Sequence, residues 1–218
     1  MIPPPRFIDS VAELPTHKFG PSSLTWWGVV GFMVIEGAGF ALAFAAYFFI
    51  MGHEQGWPPE GRQAPNLLWG TLFTIVIVLS EIANTRVKKA ARERDVPSIR
   101  RLLPVMIAFG VILLIIRGFE FNNLNCRWTD DAYSSIVWAL LFLHTIHLLT
   151  DWMDTIVLWC LMMTEVGWEG RRLVDTDENS LYWRYVWLLW LPIYAMIYWV
   201  PRLSRRSTFA TASCRGPP

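Results

Sequence analysis

The sequence predicts an all-α fold: a polytopic membrane helix bundle with five transmembrane helices. Three observations carry this. Hydrophobic residues make up 54% of the chain and charged ones only 17%, too little charge for a soluble domain of this size. Five separate apolar runs each reach or approach the roughly 20 residues that a helix needs to cross a bilayer. Thirteen Trp suit the headgroup region, where an amphipathic ring is stable.

The spans are expected at 24–51, 67–84, 99–119, 133–163 and 181–200. The runs are too long and continuous for barrel strands, which alternate in hydrophobicity over about ten residues. The last span begins among Tyr182, Trp183, Tyr185 and Trp187 and ends at Tyr198 and Trp199, with Pro201 following. Those are aromatic belts, expected to be lipid-facing, with a proline where the helix stops. Residues 1–23 form a polar, Pro-rich N-terminal segment without the apolar core of a signal peptide, so the first span reads as retained. The membrane domain occupies 24–201, and 202–218 reads as a flexible basic tail.

Positive charge in short loops sets orientation. The N-terminus, second loop and fourth loop together hold eleven Lys and Arg, seven of them between Arg86 and Arg101; the other side holds six. The N-terminus is therefore expected in the cytoplasm and the C-terminus in the periplasm. The basic residues form no aromatic-interleaved patch, which argues against nucleic acid. Cys126, Cys160 and Cys214 have no C-x-x-C spacing for zinc or haem attachment and give no disulfide framework.

Charged groups within a span are costly, so they face protein or water. Glu36 lies about 18 Å along the first span at 1.5 Å per residue. Around it stand Gly37, Ala38, Gly39 and Ala41, small residues that let another helix approach. Desolvation disfavours a charged carboxylate there. Two readings stay open: a proton-handling or lipid-linked carboxyl, or a neutral acid hydrogen-bonded to a neighbouring helix. On the fourth span, His144, His147, Asp151 and Asp154 fall in one narrow stripe at about 100° per residue, and a polar stripe faces the bundle interior. H-x-x-H can share a metal ion, but one pair supplies two ligands and no other span adds a His; an interhelical hydrogen-bond stripe is the expectation, with no metal. Arg117 and Glu120 are spaced to pair at the outer end of the third span, as a structural pair near a lipid headgroup.

These residues together resemble cytochrome c oxidase subunit III. Trp26-Trp27-Gly28 through Glu36 to Tyr47-Phe48 resembles its third helix. Arg117-Gly118-Phe119-Glu120-Phe121, Cys126-Arg127-Trp128, Ala132-Tyr133-Ser134-Ser135 and Leu143-His144-Thr145-Ile146-His147 follow in the family's order. Tyr182-Trp183, Val186, Trp190-Leu191, Tyr194 and Ile197-Tyr198-Trp199 are similar to its last helix. Arg184 and Trp187 depart from it, standing where related chains often carry His and Asp. The chain is similar to the five-helix members found in bacterial oxidases, rather than to the seven-helix ones.

The resemblance implies a non-catalytic subunit in the bacterial cell membrane, with no catalytic residue, cofactor or metal of its own. Haem and copper are expected in partner subunits, with oxidase subunits I and II as the partners. The implied role is stabilising subunit I, holding structural phospholipids and supporting proton uptake during aerobic electron transport. Glu36 falls at the family's carbodiimide-reactive acid, and His144 and His147 on its H-x-x-H. The family also includes quinol oxidase subunit III and an accessory protein of nitric oxide reductase. Outside it, a proton channel or transporter built around Glu36 and a metal enzyme centred on His144 and His147 are the alternatives.

Overall fold

The computed structural model describes residues 18–54, 56–59 and 61–204. Residues 1–17 of the N-terminal segment and 205–218 of the tail lie outside the described residues. Five helices are long and apolar enough to cross a membrane. They are α1 (Leu24–His53), α2 (Leu67–Arg92), α3 (Val96–Asn122), α4 (Ala132–Met162) and α5 (Gly170–Tyr194). Helix α5 continues through a π turn, Ala195–Trp199, to Ser204. Short 3-10 turns, Gly20–Ser22 and Glu165–Trp168, precede α1 and α5.

Hydropathy locates each span but stops short of the ends of α2, α3 and α5, where polar and charged turns beyond the apolar run stay helical. Arg86, Lys88, Lys89 and Arg92 form the last turns of α2, and Arg100 and Arg101 lie early in α3. The second loop is therefore a tight reversal around Glu93, Arg94 and Asp95. Arg94 takes positive φ (57°), and the Asp95 carboxylate caps α3 by accepting from Ser98 N. Hydrogen bonds from the Ser98 hydroxyl and then its backbone N–H hold Asp95 below the usual carboxylate range. Helix α5 begins eleven residues earlier than its apolar run, and Arg171 and Arg172 are in its first turn rather than a loop. Asn66 and Asp131 cap α2 and α4 in the same way as Asp95, each satisfying an orphan N–H.

Helices α2, α3, α4 and α5 close a ring of four, each packed on the next and α5 back on α2; α1 lies outside it, against α4 and α5. Two glycines permit the closest approaches. A Cβ on Gly110 would sit 2.1 Å from the Trp152 ring, and one on Gly70 2.5 Å from the Tyr198 ring.

The α2–α5 seam corrects the expectation that the aromatics of the last span face lipid. Trp183, Trp190 and Tyr198 are buried, because a ring N–H or O–H inside a bundle must reach an acceptor. Trp183 Nε1 donates to Ser80 Oγ and Trp190 Nε1 to Thr74 Oγ1. At the polar end, Arg92 pairs with the buried Asp177 at 2.8 Å. Arg184 Nε donates to Glu81 Oε1 at 2.6 Å, so that departure position still forms a polar link, now to α2.

Candidate functional site

The two histidines of H-x-x-H, three residues apart on α4, serve two different places. His144 turns into the four-helix ring and is fully buried. Its Nε2 lies 3.0 Å from the Val186 carbonyl, which can only accept. Its Nδ1 lies 3.2 Å from Arg117 Nη2, which can only donate. His144 is thus fixed as the neutral Nε2–H tautomer. The Arg117 guanidinium lies 3.9 Å from the Phe73 ring centroid and 4.4 Å from that of Trp190, a cation held between aromatic faces. Its Nη1 donates to Glu120 Oε2 at 2.5 Å, and Tyr198 Oη donates to the other Glu120 oxygen. Arg117 and Glu120 are each 1% exposed, so the pair lies in the protein core rather than beside a lipid headgroup. It joins α2, α3, α4 and α5 in one polar centre.

His147, about 60° round the helix from His144, faces α1, beside Glu36 and Phe40. Its Nδ1 is 2.7 Å from the Leu143 carbonyl and must carry the proton of that bond. In the neutral ring Nε2 is then an acceptor, and it lies 3.3 Å from Glu36 Oε1. At that separation a single proton, held by Glu36 or by His147, makes the contact favourable, whereas two facing lone pairs would repel. Either placement leaves the pair neutral overall. Tyr182 Oη donates to Glu36 Oε2 at 2.7 Å, filling the second oxygen. Tyr185 Oη anchors the same stretch of α1 through the Met33 carbonyl at 2.9 Å.

Glu36 and His147 line a cleft of about 670 Å³ between α1, α4 and α5. Its apolar wall includes Phe32, Ile146 and Val157, all exposed on the outer surface of the bundle. Its polar wall carries Asp151, Asp154, Asp175 and Glu178, with Arg172 and Asn179. Arg172 pairs with Asp175 at 2.7 Å. The Asn179 amide bridges Asp151 Oδ1 at 3.3 Å and Asp154 Oδ2 at 3.1 Å. A groove with one apolar flank and one acidic flank can hold water beside lipid and present a carboxyl to both.

The seven residues singled out from sequence thus divide into two sets. Glu36, His147, Asp151 and Asp154 share the cleft, while Arg117, Glu120 and His144 share the buried centre. With His144 bonded through both ring nitrogens, the two histidines do not converge on a common point. Among the described residues no group of three or more His, Cys, Asp or Glu is arranged to hold a metal ion. Tyr182, Tyr198 and Asn179 escaped the sequence reading. Tyr182 and Tyr198 were masked by the expectation of interfacial aromatics, and Asn179 by a helix start placed too late.

The family model described as cytochrome c oxidase subunit III matches residues 14–202. The chain is 25% identical to the cytochrome c oxidase subunit 3 of Synechocystis sp., covering 82% of this chain and 77% of that one. It is 22% identical to that of Thermostichus vulcanus over 80% and 87%. It is 26% identical to the probable cytochrome c oxidase subunit 3 of Nocardia farcinica over 84% and 92%. With its match extending over all five helices, the chain belongs to the cytochrome c oxidase subunit III family.

Proposed function

We propose that this chain is the non-catalytic third subunit of a haem-copper terminal oxidase of the cytochrome c type, in a bacterial cell membrane. It packs beside the haem- and copper-bearing subunits I and II, stabilises subunit I, holds phospholipid along the cleft and supports proton uptake. The observation that carries this reading is Glu36: a carboxyl midway along a membrane helix, 3.3 Å from His147 and lining a cleft with acidic residues. The family membership supports the assignment to an oxidase, and the relatives' names favour cytochrome c over quinol as donor. The apolar flank of the cleft supports an acyl chain lying against Phe32 and Ile146. The excess of Lys and Arg at the α2–α3 end supports a cytoplasmic N-terminus and a cleft whose acidic end opens to the cytoplasm.

Two measurements test this. The tagged chain, drawn from its own membranes in mild detergent, should carry haem-bearing partners; recovery as a colourless homo-oligomer would sink the assignment. In the intact complex, a hydrophobic carbodiimide should label Glu36 selectively, because a protonated carboxyl adds across the carbodiimide and rearranges to a stable N-acylurea. An unlabelled Glu36 would count against a proton-bearing acid reachable from lipid. Glu36→Gln should keep the complex assembled, since the amide still bonds His147 and Tyr182, while slowing proton uptake followed with a pH-indicating dye.

A further inference from the structure

We infer that Asp151 is a second protonatable station of the Glu36 cleft, relaying protons between water at the acidic end and the Glu36–His147 pair. This rests on the proton-handling reading of Glu36 given above. Asp151 stands one turn beyond His147 on α4, is 2% exposed and lines the cleft. Its two oxygens are unequal. Oδ1 is 3.3 Å from Asn179 Nδ2. Oδ2 is buried with no partner among the described residues. The Asn179 amide has two protons and is spread over three acceptors: Asp151 Oδ1, Asp154 Oδ2 and, at 3.3 Å, Thr155 Oγ1. Asp151 therefore receives at most one long, shared, neutral hydrogen bond.

The surroundings supply no compensating charge. From α1 comes Glu36; from α4, His147 and the exposed Asp154; from α5, Asp175, Glu178 and Tyr182. Arg172, the sole Lys or Arg lining the cleft among the described residues, is paired with Asp175. A buried carboxylate with one bare oxygen and no cation is far costlier than the neutral acid, so Asp151 at rest holds a proton, and bare Oδ2 is the oxygen free to carry it. The cleft has room for a chain of waters, each needing about 30 Å³. The relay is then a closed cycle. When the Glu36–His147 pair has lost a proton, the Asp151 carboxyl turns about its Cβ–Cγ bond to bring Oδ2–H from its buried position to the cleft water, passes its proton through that water to the pair and becomes a carboxylate. A proton from water at the acidic end restores the acid.

The test uses the intact oxidase complex. Proton uptake is timed with an indicator dye, and the infrared carbonyl band of protonated carboxyls is followed in light and heavy water. Asp151→Asn preserves shape and the Asn179 contact. It should slow uptake several-fold and remove one carboxyl band that shifts on deuteration. Asp151→Glu should recover most of the rate, which a merely structural role would not predict. Asp151→Asn with Glu36→Gln should be no slower than the slower single variant, because the stations act in series. Should Asp151→Asn fail to assemble, a moved, exchangeable carboxyl band in Asp151→Glu carries the test. The inference is overturned by an unchanged, unexchangeable carboxyl spectrum, or by Asp151→Glu as slow as Asp151→Asn. A wild-type rate in Asp151→Asn beside a slow Glu36→Gln removes Asp151 alone. A wild-type rate in Glu36→Gln removes the reading of Glu36 itself, and the hand-over with it.

Discussion

Helix α4 presents two histidines to two polar sites, and the sites differ in how completely their protons are assigned. Around His144 every contact has a fixed direction: Arg117 donates to the ring, the ring donates to a carbonyl, and Glu120 accepts from Arg117 and Tyr198. Around His147 the ring and the Glu36 carboxyl face each other at 3.3 Å with no fixed donor, and a nearby carboxyl oxygen has no partner among the described residues. The first arrangement resists change because any lost partner strands a buried charge. The second lines an open cleft, where fewer partners hold each group. Three residues of sequence separate a structural bolt from a group at the edge of the cleft, and the position of α1 outside the ring makes the difference.

Breaking the bolt should have the largest effect. Glu120→Ala leaves the Arg117 guanidinium buried and unpaired, at a cost of about 3–5 kcal/mol; the tagged subunit should be lost from the purified complex, read by gel and mass spectrometry. Next is Gly110→Leu, whose side chain collides with Trp152 across α3 and α4; overpacking of about 1–3 kcal/mol should lower the temperature at which the subunit dissociates. Tyr182→Phe removes one hydrogen bond from Glu36, worth about 0.5–1.5 kcal/mol. It should leave assembly intact yet change the rate of carbodiimide labelling, and an unchanged rate would mean that the cleft is as fixed as the core. The smallest effect belongs to Lys89→Ala. Its pair with Glu93 is widely exposed on both sides, and loss should fall within about 0.5 kcal/mol with uptake unaltered.

Much of this was legible in the sequence because a bilayer reduces the problem to counting apolar residues. The five runs gave five helices, and Arg117, Glu120, His144 and Asp151 proved to be buried in protein. The charged ends were misjudged where the pattern carries no hydropathy signal: the first turns of α5, from Gly170 to Ser180, are polar and yet largely buried. Their burial comes from α2 and α4, through Arg92, Asp154 and Thr155, contacts that no local window contains. The stripe His144, His147, Asp151, Asp154 was visible as a stripe, but its splitting was not. A stripe fixes which side of a helix is polar; only the placing of α1, α3 and α5 decides which member meets which partner. Tyr198 was harder still, since the π turn at Ala195–Trp199 shifts the helical register that would have predicted its direction.

The position of α1 also has a consequence in time. It is made first, yet its partners α4 and α5 are made last: Tyr182 follows Glu36 by 146 residues. At about 5–20 residues per second of synthesis, Glu36 waits roughly 7–30 s in the membrane before its partners arrive. For most of that interval, while the chain from Glu36 to His147 is being made, the acid has neither His147 nor Tyr182 to satisfy it. The first span must therefore tolerate an unaccompanied carboxyl during biogenesis, and its long apolar stretches on either side of Glu36 are what keep it inserted until the ring closes and α1 docks.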